Sequence, residues 1–237
     1  MSVEIVIAVA VGLIGYVFSL LHKAGFFQSA KTEVTETPNH LSDSITVYYK
    51  YNIGSYSNIS SLINEAKSLL PSGATTFGIF YDNPDVVATN LLQSAVGVVT
   101  GKNGEALYDD NYEQQLVRYG YEKMNFPAVK KAVQTTQVSS GGILSIFHLI
   151  NYVYPEIKAF IAEKALTVKY SIEFYAPDEI SVIFPLENFE EFVVQDYLPT
   201  DELEAKLARK KFDSDEEDSE SEPDLSEVEE DEETKDE

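Results

Sequence analysis

The side chains able to carry chemistry are few and scattered. The 237 residues include no cysteine, no tryptophan and three histidines. His22 and His40 flank an apolar N-terminal run, and His148 falls on an apolar helical stretch where core packing accounts for it. No phosphate loop, nucleophile elbow or metal-ligand spacing occurs. One carboxylate stands apart. On the expected strand around it, Glu173 alternates with Ile172 and Phe174, so it points to the opposite face, alongside Ser171 and Tyr175. Two readings fit: a solvent-facing sheet glutamate, or the anionic floor of a cleft. For the cleft, Tyr175, Tyr49, Tyr51 and Tyr81 could supply ring faces to a cation. A carboxylate with no partner nucleophile or base is not a mechanism. No enzyme activity, cofactor or metal is expected.

The chain ends in a block of acid. From Phe212 to Glu237 there are sixteen Asp or Glu against one Lys, a net charge near −15 out of −23 for the whole. So dense a run of like charge, with Leu225 and Val228 its only aliphatics, is expected to stay disordered. Ser214, Ser219, Ser221 and Ser226 each have an acid three residues on, which suits an acid-directed kinase of the casein kinase II type. Phosphate there adds charge rather than order. The negative balance argues against direct nucleic-acid binding.

The opposite end is oil. Ile5 to Leu21 is seventeen residues without a charge, roughly 26 Å as a helix, enough for a thin bilayer such as the endoplasmic reticulum at about 27 Å. The run has no polar stripe and no convincing cleavage site, so it reads as a retained anchor over 1–27. Glu4 precedes it, and Lys23 and Lys31 follow, which places the N-terminus in the lumen and the rest in the cytosol. The sequon Asn58-Ile59-Ser60 is then expected to carry no glycan.

Between these ends lies one globular domain, 44–198, after a linker at 28–43 and before a charged helical segment at 199–211 and the tail at 212–237. Strand patterns at Ile45–Tyr51, Thr75–Tyr81 and Gln93–Thr100 enclose a helical pattern from about Asn58 to Leu70. The order repeats: a strand at Val129–Val138, Gly141-Gly142, helical sequence from Ile143 to Ala165 with a bend near Pro155, then strands at Val168–Tyr175 and Glu179–Phe184. Phe77–Asp85 also matches Tyr170–Asp178 in detail, each an apolar-aromatic strand leading to Pro and Asp. The fold class is therefore α+β: tandem β-α-β-β units forming an antiparallel sheet with helices on one face and a partly aromatic concave face left open.

Several stretches resemble a known family. They are Val47–Tyr56, Phe80-Tyr-Asp-Asn-Pro84, Ser94-Ala-Val-Gly97, Tyr119-Gly-Tyr121, Asn125-Phe-Pro127, Ile143–Ile146, Ile172–Tyr175 and Phe184-Pro-Leu186. In this order they resemble the testis-expressed protein 264 family, membrane-anchored proteins with a gyrase-inhibitor-like (GyrI-like) domain. Tyr-Asp-Asn-Pro after a strand is the most specific piece. The resemblance implies a receptor for autophagy of the endoplasmic reticulum (reticulophagy), found also at autophagosomes and the nuclear envelope. It implies ubiquitin-like autophagy modifiers and the ATPase valosin-containing protein as partners, and a link to repair of topoisomerase I–DNA adducts. In ligand-binding relatives of the fold an acid near Glu173 meets cationic aromatic molecules, so the alternative function is a membrane-tethered small-molecule sensor.

The tail departs from that pattern. Autophagy receptors add a strand to the modifier through an aromatic, two spacers and Leu, Ile or Val. Beyond Tyr197 the only aromatic is Phe212, and three residues on stands Asp215, a carboxylate where an apolar pocket waits. Phe189-Glu190-Glu191-Phe192 comes nearer, but it lies just after the last strand, where an edge or docking segment of the domain is the better reading. No glycine-rich box for the ATPase occurs in the tail.

Overall fold

Two β-α-β-β units meet along one seam. The computed structural model describes residues 2–28, 30–139 and 142–219, with backbone alone from 211 onward. The chain divides into a unit of residues 1–197 and a second of 198–237. In the first unit, helix α1 (Val3–Lys23) precedes strand β1 (Thr32–Thr35). The first repeat is β2 (Ile45–Ile53), α2 (Ile59–Ser68), β3 (Thr76–Phe80) and β4 (Gln93–Lys102). An insertion of β5 (Glu105–Ala106), α3 (Asp110–Arg118) and β6 (Glu122–Phe126) follows. The second repeat is β7 (Ala132–Val138), α4 (Ile143–His148), a π-helical turn (Leu149–Val153), α5 (Tyr154–Glu163), β8 (Ser171–Tyr175) and β9 (Glu179–Pro185). The strands pair antiparallel in the order β1-β7-β9-β8-β3-β4-β2-β6, with β5 on β4.

The expected duplication is present in the register. Matching Phe77–Asp85 to Tyr170–Asp178 maps Ile79 onto Ile172, and a two-fold relating the halves that way must pass through this pair. Ile79 and Ile172 are direct partners where β3 meets β8. Every residue of both strands is buried, because helices cover one face of the sheet and the chain's own segments cover the other.

On the helix face, Ile59 and Ile63 of α2 share a core with Leu149, Val153 and Ile157 and with Phe80, Val96 and Tyr175 beneath. Their spacing of three and four is what the sequence pattern encoded. A close approach also fixes one glycine here. A Cβ on Gly97 of β4 would lie 1.8 Å from the Tyr48 carbonyl oxygen, so only glycine lets β2 pack at that point.

The opposite face is not the open concave surface expected. Leu41, Val129, Phe192 and Val194 cover Phe77, Tyr81, Phe126 and Ile172 there. That face bears rings and branched aliphatics too numerous to leave in water, and the segment after β9 returns over them. The supposed linker at 28–43 is likewise part of the domain. Thr32–Thr35 pairs with β7, Leu41 is fully buried, and the Val129 N–H donates to its carbonyl at 2.8 Å. Four residues are too short a run for alternation to announce a strand.

The bend placed near Pro155 is the π-helical turn just before it. Proline brings no N–H to the helical ladder, and the wider turn absorbs that break. In the second unit, α6 (Thr200–Ser219) runs eight residues past the expected limit at 211. Extending a helix fixes one residue per hydrogen bond, whereas starting one costs several, so charged sequence can prolong a turn it would not nucleate. The expected disorder of 220–237 lies outside the described residues.

Candidate functional site

Glu173 sits at the bottom of the helix-covered face, not on solvent and not in an open cleft. It is 5% exposed. Strand β8 turns it toward α5, where the Tyr154 hydroxyl donates to one carboxylate oxygen, and the Tyr175 hydroxyl donates to the other at 2.5 Å. Tyr154 lies 3.1 Å from Ser171 Oγ, so Ser171 completes the cluster. Burial pushes the Glu173 carboxyl above its ordinary range, and the two phenol donors pull it partly back. No basic side chain of the described residues counters the charge. Burial, and then the neighbouring carboxylate, push both phenols well up.

This is a carboxyl group held by two phenol donors beneath a helix. Tyr175 lies beside Glu173 as a hydrogen-bond donor. Tyr49, Tyr51 and Tyr81 are not, since they belong with the core on the other face of the sheet. The period of two explains the correction: Glu173 faces away from Ile172 and Phe174, and those residues share the tyrosines' side. The pocket of about 200 Å³ lined by His40, Thr75, Lys102 and Tyr108 does not include Glu173.

The three tyrosines hold the fold together. Tyr51 donates to Gln93 Oε1 at 2.5 Å, and burial pushes its hydroxyl up to about 12. Tyr49 donates to Glu122 Oε2 at 3.1 Å. Tyr81 donates to the Phe192 carbonyl at 2.9 Å and accepts from the Val194 N–H at 3.2 Å. The Tyr-Asp-Asn-Pro motif is thus a latch for the segment after β9. Its Asp82 accepts from the Gln93 N–H at 2.6 Å, closing the loop that Pro84 begins.

Phe189, Glu190, Glu191 and Phe192 form a 3₁₀ turn in that latched segment. Phe192 is fully buried, 5.2 Å from the Phe126 ring centroid and 6.4 Å from that of Tyr170. Phe189 accepts a hydrogen bond from Tyr170 at its carbonyl, and Glu190 pairs with Lys169 at 2.8 Å. The docked reading is the one realised. Phe192 is where it cannot enter a partner's pocket without leaving the core.

The histidines are also placed. His40 stacks on Phe174 with centroids 4.8 Å apart, on the sheet rather than beside the anchor. His148 is buried, its Nδ1 3.2 Å from Gln137 Oε1, with Phe26 at 4.8 Å and Tyr152 at 5.4 Å. Ser214 and Ser219 fall on α6, while Ser221 and Ser226 lie outside the described residues. Among the described residues no three His, Asp or Glu side chains gather as a metal site. The one helix there long and apolar enough to cross a membrane is α1, with no buried residue. The sequence missed Tyr154 of the Glu173 cluster, since nothing in a string of letters says which helix lies over which strand.

No family model matches the chain. Testis-expressed protein 264 homolog of Mus musculus is 29% identical over 164 residues, 69% of this chain and 52% of that protein. Testis-expressed protein 264 of Homo sapiens is 28% identical over 157 residues, 66% of this chain and 49% of that one. The chain spans about half the length of these curated relatives. Among solved structures, a hydrolase from Listeria innocua matches at 10% identity and TM-score 0.38, over 68% of this chain and 94% of that one. The EcmrR C-terminal domain matches at 14% identity and TM-score 0.38, over 66% and 96%. Over about two-thirds of its length, this chain is similar to the testis-expressed protein 264 proteins of mouse and human.

Proposed function

We propose that this protein is a single-pass receptor or adaptor of the endoplasmic reticulum, with its domain and acidic tail in the cytosol, serving reticulophagy as its family resemblance implies. The observation that carries the reading is α1, long, apolar and without a buried residue. Such a surface is stable only in lipid. The domain itself is closed on both faces, so its role is to be held at the membrane and to present surface, tail and reach to partners. Binding of an autophagy modifier through Phe189–Phe192 would expose a fully buried ring, and is expected to be feeble. The test is lysosomal delivery of a reticulum marker in starved cells. Full-length protein should raise it, and a chain lacking residues 1–22 should not. Equal delivery by both overturns the reading.

A second reading rests on Glu173, a buried carboxyl with no cation beside it among the described residues. A small-molecule sensor would admit a cationic aromatic ligand under α5 and neutralise that charge. A thermal shift by such ligands that vanishes in Glu173→Gln supports it. Equal shifts in both proteins remove Glu173 from the site.

A further inference from the structure

Helix α4 and the π-turn after it bury Leu149 and Val153 in the core, yet are apolar on the outside as well. Their buried positions include Ser145 and His148, while Ile143 is 86% exposed, Ile150 58%, Tyr152 52% and Phe147 51%. From Ala132 to Pro155 the sequence contains no Asp, Glu, Lys or Arg, and charge returns to the exposed surface only at Glu156 and Lys158. A surface helix of a water-facing domain is polar on that side, as α2 is with Asn64 and Lys67 outward. A contiguous apolar surface of this kind marks a contact.

Its occupant follows from where α1 ends. The anchor stops at Lys23, and the chain turns at Gly25, whose φ is +92°. A Cβ there would lie 3.0 Å from the Val138 carbonyl oxygen. Phe26 then packs directly on this surface, its ring centroid 6.4 Å from Phe147 and 5.7 Å from Tyr152. Only Ala24 and Gly25, both buried, separate the anchor from the docked ring, so no tether lets the domain stand off.

We propose that the outer face of α4 and its π-turn is a second membrane contact, immersed at the headgroup–acyl boundary beside the exit of α1. It rests on the reading of α1 as a membrane span. Helices with such faces settle about 5–10 Å into that boundary, and Tyr152 suits the wet side of it. The domain is thereby fixed in orientation against the bilayer, with α4 down, instead of swinging on a linker.

The chain has no cysteine, so single probes are unambiguous. Full-length protein is reconstituted in phosphatidylcholine vesicles with an environment-sensitive fluorophore on Ile150→Cys, Gly12→Cys or Lys67→Cys. Quenching is read from lipids spin-labelled near the headgroup or deep in the chains. The position at Gly12 has open space for a side chain, and Lys67 is exposed on α2. The expected result is blue-shifted emission and strong shallow quenching at Ile150, deep quenching at Gly12, and neither at Lys67. Deep quenching at Gly12 with Ile150 no different from Lys67 overturns the contact and leaves the anchor standing. No quenching at Gly12 overturns the anchor, and the contact with it.

Discussion

The two halves of the domain make an internal control, because one ancestral pattern has been filled twice. In the first half, the slot beneath α2 holds Phe80, edge-on to Tyr56 at 4.9 Å. In the second, the register that maps Ile79 onto Ile172 puts Glu173 in that slot, under Tyr154 of α5. Outside, α2 turns polar residues to solvent while α4 turns isoleucine and phenylalanine. The fold requires neither a buried acid nor an oily outer helix, since the first half does without both. Features that one half has and its twin lacks are therefore candidates for function rather than for folding.

The largest effect should come from making the halves alike in the wrong direction. Phe80→Glu removes a buried ring and leaves a carboxylate without donors. The expected loss is about 4 kcal/mol or more, read as collapse of cooperative denaturant unfolding. Tyr154→Phe should cost about 1–2 kcal/mol, since Glu173 keeps only Tyr175 as a phenol donor. Glu173→Gln should move stability by no more than about 1 kcal/mol at neutral pH, in the favourable direction, because burial disfavours the charge.

The pH dependence of that last change has a definite sign. A carboxyl whose folded pKa lies above its unfolded value binds protons more readily when folded. The native protein therefore gains stability as pH falls from above the raised pKa toward 4.5, and the advantage of Glu173→Gln fades over the same window. Burial lowers the pKa of His40 and His148, and these contribute the opposite trend below 6.5, equally in both proteins. The difference between the two melting curves isolates Glu173. The smallest effect is Ile150→Ser, within about 0.5 kcal/mol in detergent because the side chain is already exposed.

Much of the architecture was legible in the letters, for a physical reason. Helical spacing in α2, alternation in β2 and the matched strands Phe77–Asp85 and Tyr170–Asp178 encode local period, and period fixes element type. The insertion was not legible. Helix α3 buries only Leu116, too thin a stripe to be seen, and β6 buries only Phe126. For Glu173, alternation along β8 sets the side of the strand but not the cover, which depends on Tyr154 arriving from another element. Phe189 and Phe192 illustrate the converse. Their spacing is visible in the letters, but the hydrogen bonds by which Tyr81 holds the backbone of that segment come from a distant strand end.

The proposed receptor role requires α1 to lie in a membrane with the domain on its cytosolic side. The direct measurement is alkaline carbonate extraction of vesicles from cells expressing the full-length protein, followed by endoglycosidase treatment. The protein should remain in the membrane pellet, and its mobility should be unchanged by the enzyme, since an Asn58 in the cytosol is never glycosylated. Release into the alkaline supernatant, or a shift in mobility that Asn58→Gln abolishes, would contradict it.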